Sequence, residues 1–187
     1  MTDQNPMRLT IFGDFSCPFS ALASHRAAAL EEAGRAIIEW RGVQHLPDQP
    51  VAGLVVNGEL ASMFEREVGQ ITSLLTPTED FPLRVPPVQP NTGLATAALA
   101  AAPASERAGL RQRVFEAFWL AGADIGDPEV LTELGAPPPA ASPPVVQEWQ
   151  TQWESFDRRM VPMLQMPDGT LSRGLGALSR LADLVEG

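Results

Sequence analysis

The chain has no lysine, a single cysteine and only two histidines among its 187 residues. Each scarcity excludes something. One cysteine cannot form an intramolecular disulfide, so the fold is not covalently stapled. That suits a reducing compartment, and a cytoplasmic location is expected. Cys17, His25 and His45 are too few and too scattered for a structural zinc site. Without lysine, all 13 cationic residues are arginines against 23 acidic ones, a formal net charge of -10. Such an acidic surface argues against nucleic acid or an anionic membrane as the partner. No apolar run approaches the ~20 residues that span a bilayer. The opening stretch MTDQNPMRLTIF lacks a basic segment followed by an apolar one, so no secretory leader is expected. There is no P-loop, no Ser-His-Asp signature and no internal repeat. The GLG at 174–176 is too short to cradle a phosphate.

What is present is enough apolar residue, 44%, for a domain with a real core. RLTIF at 8–12 reads as a strand, broken by Gly13 and Asp14. From Pro18 to Gly34 the spacing predicts a helix. Phe19, Leu22, Arg26, Ala29, Leu30 and Ala33 fall along one mostly apolar stripe. Pro18 suits its first turn and Gly34 its C-terminal end. AIIEWRGV at 36–43 is the next strand, so the first 43 residues read β-α-β with parallel strands.

Helical spacing then dominates. Helices are predicted over 59–75, 92–102, 105–122, 127–134 (Asp cap, Pro at N1) and 145–160. In the last of these Trp149, Trp153, Phe156 and Met160 share a face. Proline-rich connectors fill 76–90 and 135–144. VPMLQM, the turn PDG and TLSRG form a hairpin, and a helix closes the chain. Neither end has strands enough for a sheet alone. The economical reading is one α/β domain from 1–57 and 145–187, with a helical insertion at 58–144.

The quotable chemistry is DFSCPFS at 14–20, with Cys17 where a strand ends and a helix begins. A thiol there faces unpaired backbone N–H groups and the positive end of the helix dipole. Both favour thiolate, so a pKa below the free value of ~8.5 is expected, with Asp14 opposing it. Ser20, one turn on, can donate a hydrogen bond to the thiolate but cannot attack a mixed disulfide. A lone cysteine read by itself is more often a small buried hydrophobe. His25 lies two turns beyond Cys17, too far to be its base, and reads as packing. His45, in the loop after the second strand, has no evident partner. Arg158 and Arg159 read as a solvated helix end that can also attract a carboxylate. Trp119, Trp149 and Trp153 read as core.

Strand-Asp-x-x-Cys-Pro, PVQPNTGLATAAL at 87–99, DIGDPEVLTEL at 124–134 and RRMVPMLQMPDGTLSRG near the C-terminus occur in an order that resembles the DsbA-like thioredoxin-fold proteins, cytoplasmic branch with a helical insert. The resemblance implies a thioredoxin-like fold and a cis bond at Val161-Pro162, with Pro162 facing Cys17. It implies catalytic Cys17, Ser20 and Pro162. Substrate contacts fall to Pro18, Phe19 and the backbone of Val161, which would pair strand to strand with a peptide or glutathione. Redox members carry Cys-x-x-Cys; here Ser20 stands at the second position. Kappa-class glutathione transferases and 2-hydroxychromene-2-carboxylate isomerases, related members that lack the dithiol, have serine at the first position, where this chain has Cys17. The function expected is thiol-disulfide exchange, isomerisation or glutathione-linked chemistry through one nucleophilic cysteine. The alternatives are a glutathione-dependent isomerase or transferase of a small aromatic substrate, and a redox-silent peptide-binding protein. No tightly bound cofactor is expected; glutathione would serve as co-substrate. Partners would be protein thiols and disulfides or a small molecule. The oligomeric state is left open, a homodimer among the options.

Overall fold

The computed structural model describes residues 5–187. Residues 1–4, part of the opening stretch read above for a leader, lie outside the described residues. Strand β1 (Met7–Gly13) leads through helix α1 (Pro18–Glu32) to β2 (Ala36–Gly42), and β1 and β2 pair in parallel with Leu9 opposite Ile38 and Ile11 opposite Trp40. The expected β-α-β unit is present. Pro18 stands in the first turn of α1, where its missing N–H leaves no bond unmade. Gly34 follows the cap with φ 67°. Its N–H bonds the Glu31 carbonyl and that of Arg35 bonds Leu30, the Schellman pattern that glycine permits.

The C-terminal half supplies the other two strands. β5 (Met163–Gln165) runs antiparallel to β1, and β6 (Leu171–Arg173) antiparallel to β5. The sheet order is β2-β1-β5-β6, and helix α7 (Leu175–Glu186) packs on α1. One sheet is thus built from both ends of the chain.

Between them lie α2 (Gly58–Leu74), α3 (Gly93–Ala101), α4 (Arg107–Trp119), α5 (Pro128–Glu133) and α6 (Pro144–Glu154). The Asp127 carboxylate caps α5 by accepting from the Glu129 N–H at 2.8 Å. A two-stranded antiparallel patch, β3 (Leu54–Val55) with β4 (Val88–Gln89), was not expected. Its strands have two residues each and too little pattern to read. Helix α6 stops at Glu154, short of the predicted Met160. Its last turn tightens, with the Phe156 N–H bonding Trp153 rather than the residue before it. Phe156 and Met160 therefore extend no helical face.

The two faces of the sheet bury different sets. Leu9, Ile11 and Trp40 meet α1, α7 and the helices of 58–144, through Phe64, Ile71, Val114, Phe115 and Trp119. Apolar contact is continuous across position 57/58. Phe12, Val43 and Met163 on the other face meet Trp149 and Trp153 of α6. Two arginines sit inside. Arg26, read as part of an apolar stripe, is 2% exposed and bonds both carboxylate oxygens of Glu79 and the carbonyls of Leu74 and Leu178. Arg111 bonds Ser24 and Glu31 and stacks over Trp40. Each is paired, as a buried guanidinium requires.

Candidate functional site

The site forms at the C-terminal end of β1. Gly13 is needed there, because a Cβ would lie 2.3 Å from Cζ2 of Trp40. The chain turns at once, with the Cys17 N–H bonding the Asp14 carbonyl at 3.1 Å. Cys17 is the N-cap of α1 in extended conformation, its carbonyl taking the first bond from Ala21. Trp119 Nε1 donates to the Phe15 carbonyl at 2.9 Å and pins this turn to α4.

Opposite lies the Val161-Pro162 segment, and its peptide bond is cis, as the resemblance implies. The Cys17 thiol points at the Val161 carbonyl, 3.9 Å away. The Gly174 N–H bonds the Pro162 carbonyl at 2.8 Å and ties the segment to the start of α7. Pro18 is buried, and Phe19 is half-buried against the cluster that holds Cys17 and Val161. The fold thus brings Cys17, Pro18, Phe19, Ser20, Val161 and Pro162 to one place.

Electrostatics correct the expectation for Cys17. The residue is 7% exposed, and burial, with the Asp14 charge in the same direction, pushes its thiol up to about 12. Hydrogen bonds from Ser20 and Phe19 pull the other way without prevailing. The helix amides are present, but removal from water outweighs them. At neutral pH Cys17 is therefore a protonated S–H donor to Val161. Ser20 faces it as expected, and its oxygen also accepts from the Asp14 N–H at 3.3 Å.

His45 is the residue that sequence reasoning left without a partner. It has one. Its backbone N–H and its Nδ1 both meet Asp14 Oδ2, at 2.8 and 2.7 Å, while Ser16 donates twice to Oδ1. Burial works against the Asp14 charge, but the His45 and Ser16 bonds outweigh it and hold the carboxyl below the usual range. Burial likewise works against protonated His45, and the bond to Asp14 outweighs it and raises the imidazole. A signal existed. Gly13 and Gly42 are register partners, so residues just past them, at the same end of adjacent parallel strands, become neighbours.

The other candidates fall elsewhere. His25 stacks on Phe81 at 4.6 Å. Trp119, Trp149 and Trp153 are buried core. Arg158 and Arg159 are exposed in the irregular segment after α6, not on a helix end. Among the described residues no group of three or more His, Cys, Asp or Glu is arranged to hold a metal ion. No described helix is long and apolar enough to cross a membrane.

A β-α-β-β sheet with cysteine at the first helix start, facing a cis-proline segment, defines a thioredoxin-like α/β protein. The DSBA-like thioredoxin domain matches residues 8–136, and the chain belongs to that family. No curated protein matches it. Among solved structures it is similar to a probable DsbA oxidoreductase from Streptomyces coelicolor, at 15% identity and a TM-score of 0.75, over 96% of this chain and 88% of that one. It is also similar to a 2-hydroxychromene-2-carboxylate isomerase, at 18% identity and TM-score 0.68, over 96% and 95%. A third is the cytosolic disulfide reductase DsbM of Pseudomonas aeruginosa, solved with GSH, at 19% identity and TM-score 0.67, over 96% of each chain. At these identities the likeness is one of fold.

Proposed function

We propose that this protein is a glutathione-linked thiol oxidoreductase of the DsbA family that works through one cysteine. The observation that carries the reading is the Cys17 thiol at the head of α1, 3.9 Å from the Val161 carbonyl. An extended γ-glutamyl-cysteinyl chain that pairs with the backbone at Val161 would bring its sulfur to Cys17. Cys17 thiolate attacks the mixed disulfide of a substrate thiol and glutathione. A Cys17–glutathione bond forms, the substrate–glutathione bond breaks, and the substrate thiolate leaves and takes up the proton that Cys17 released. A second glutathione thiolate then attacks the bound glutathione sulfur, giving glutathione disulfide and free Cys17. No resolving cysteine is needed, which fits Ser20. A cytoplasmic setting, where glutathione is abundant, suits this reading, and the cytosolic neighbour DsbM supports it.

One observation favours a second reading. Cys17 is held as an S–H donor, and a donor can stabilise a bound glutathione thiolate whose own sulfur acts on a small substrate. The protein would then be a glutathione-dependent isomerase or transferase.

Intact mass after incubation with glutathione disulfide decides between them. The exchange reading expects one adduct, reversed by glutathione and absent in Cys17→Ser. Calorimetric binding of glutathione without any adduct selects the second reading. Neither binding nor adduct overturns both.

A further inference from the structure

His45 and Asp14 form a buried pair that the exchange chemistry above does not use. The Asp14 side chain is 2% exposed and that of His45 29%, so the imidazole is the pair's only contact with water. Asp14 Oδ1 is taken by two Ser16 donors, and Oδ2 by the His45 backbone N–H and Nδ1. The same residue's carbonyl accepts from the Cys17 N–H, and its N–H donates to Ser20. Asp14 is therefore bonded through its backbone to Cys17 and Ser20 at the head of α1, and its buried charge opposes ionisation of the thiol. Glu67 of α2, with Arg66 beside it, is the other charged group whose field reaches His45.

We propose that His45 is a positioning residue for Cys17: held on Asp14, its imidazole decides how much negative charge the buried carboxylate presents to the thiol. With His45 protonated the pair is neutral, and Cys17 gives up its proton more readily. With His45 neutral the carboxylate stands uncompensated and the thiol holds its proton. Thiolate formation is thus a coupled titration of three groups. The inference rests on the reading of Cys17 as the reacting thiol.

The test is the rate of alkylation of Cys17 by iodoacetamide against pH, in a protein with no other cysteine. The wild-type logarithmic profile is expected to rise, flatten where His45 loses its proton, and rise again, the two limbs offset by about tenfold. His45→Gln removes the flat region and follows the slower limb. Asp14→Asn reacts faster than wild type, and adding His45→Gln to it changes nothing further. A His45→Gln profile that keeps the flat region, or effects that add in the double variant, overturns the proposal. A purely structural role would lower stability and leave the profile's shape intact.

A second readout does not need the thiol to react. With only two histidines, proton NMR follows His45 directly. It should titrate about half a unit or more higher in Cys17→Asp than in Cys17→Asn, because the charge replaces the thiolate. Equal values overturn the proposal. If folded wild-type Cys17 never alkylates, the reacting-thiol reading fails, and the NMR pair still decides the coupling.

Discussion

The sulfur of Cys17 and the carbonyl oxygen of Val161 lie 3.9 Å apart although 144 residues separate them in the chain. The contact joins the nucleophile loop to the cis-proline segment, and it also seals the thiol from solvent. Its rise from 9.0 to about 12 lowers the thiolate fraction at neutral pH about a thousandfold. Greater intrinsic nucleophilicity at the higher pKa returns about twentyfold of that. Native Cys17 should therefore alkylate about fiftyfold more slowly at pH 7 than the same cysteine in urea, without levelling off at the full thiolate rate below pH 10. Equal rates in the two states would show the thiol exposed and unperturbed.

Stability should depend on pH in three windows, each with its own sign. His45 is raised above 6.5, so its contribution is full below that value and is lost as pH climbs through its folded pKa. Asp14 is lowered below 3.8, so its contribution is full above that value and is lost as pH falls through the folded pKa. Both describe one bond and are counted once. Cys17 is raised above 9.0, and its contribution declines from there toward 12. Urea unfolding across pH 3 to 10.5 reads all three. His45→Gln should flatten the decline near neutrality while leaving the alkaline one.

Gly13→Ala places a methyl group 2.3 Å from Cζ2 and 2.7 Å from Cη2 of Trp40. Trp40 is 7% exposed and its ring lies against Phe115, so it has little room to yield. A loss of about 1–3 kcal/mol is expected from overpacking, read as a lower urea midpoint at unchanged slope. Slower alkylation or a changed adduct yield should accompany it, since the residue precedes Asp14.

Arg26→Ala removes the partner of Glu79 and the side-chain donor to the carbonyls of Leu74 and Leu178. The side chains are 2% and 8% exposed, so solvent offers little replacement. A cost of about 3–5 kcal/mol is expected. The double variant Arg26→Ala with Glu79→Ala should cost clearly less than the two single losses summed. Additive losses would mean the pair is not coupled.

Local pattern carried the elements, and distance hid what joins them. RLTIF, helix α1 and AIIEW are each readable locally, and all three form, although α1 is buried nearly all round and Ala33 of its expected stripe is exposed. Arg26 fell on the apolar stripe of α1, but what holds it and Arg111 inside was unreadable, because their carboxylate partners lie 53 and 80 residues away. The aromatic spacing of α6 ran on to Met160, yet the helix ends where its last turn tightens at Ser155. Cys17 and Ser20 were legible from their own heptapeptide, but facing Val161-Pro162 was expected only through resemblance. The thiol's burial matches the reading of a lone cysteine as a small buried hydrophobe, but what covers it, α6 and the cis-proline segment, lies far along the chain. His45 needed the parallel register of β1 and β2 before its nearness to Asp14 could be seen.

Helix α6 has an effect beyond packing. The Gln150 amide accepts from the Gln44 N–H at 2.9 Å and donates to the Gln44 carbonyl at 3.1 Å, offering just past β2 what a neighbouring strand would offer. Gln152 reaches Arg41 on the same strand. An open strand margin presents unpaired backbone groups on which another chain could add and seed aggregates. The Gln150 amide takes the place of such a chain at Gln44, so the backbone there is already paired just past the end of β2.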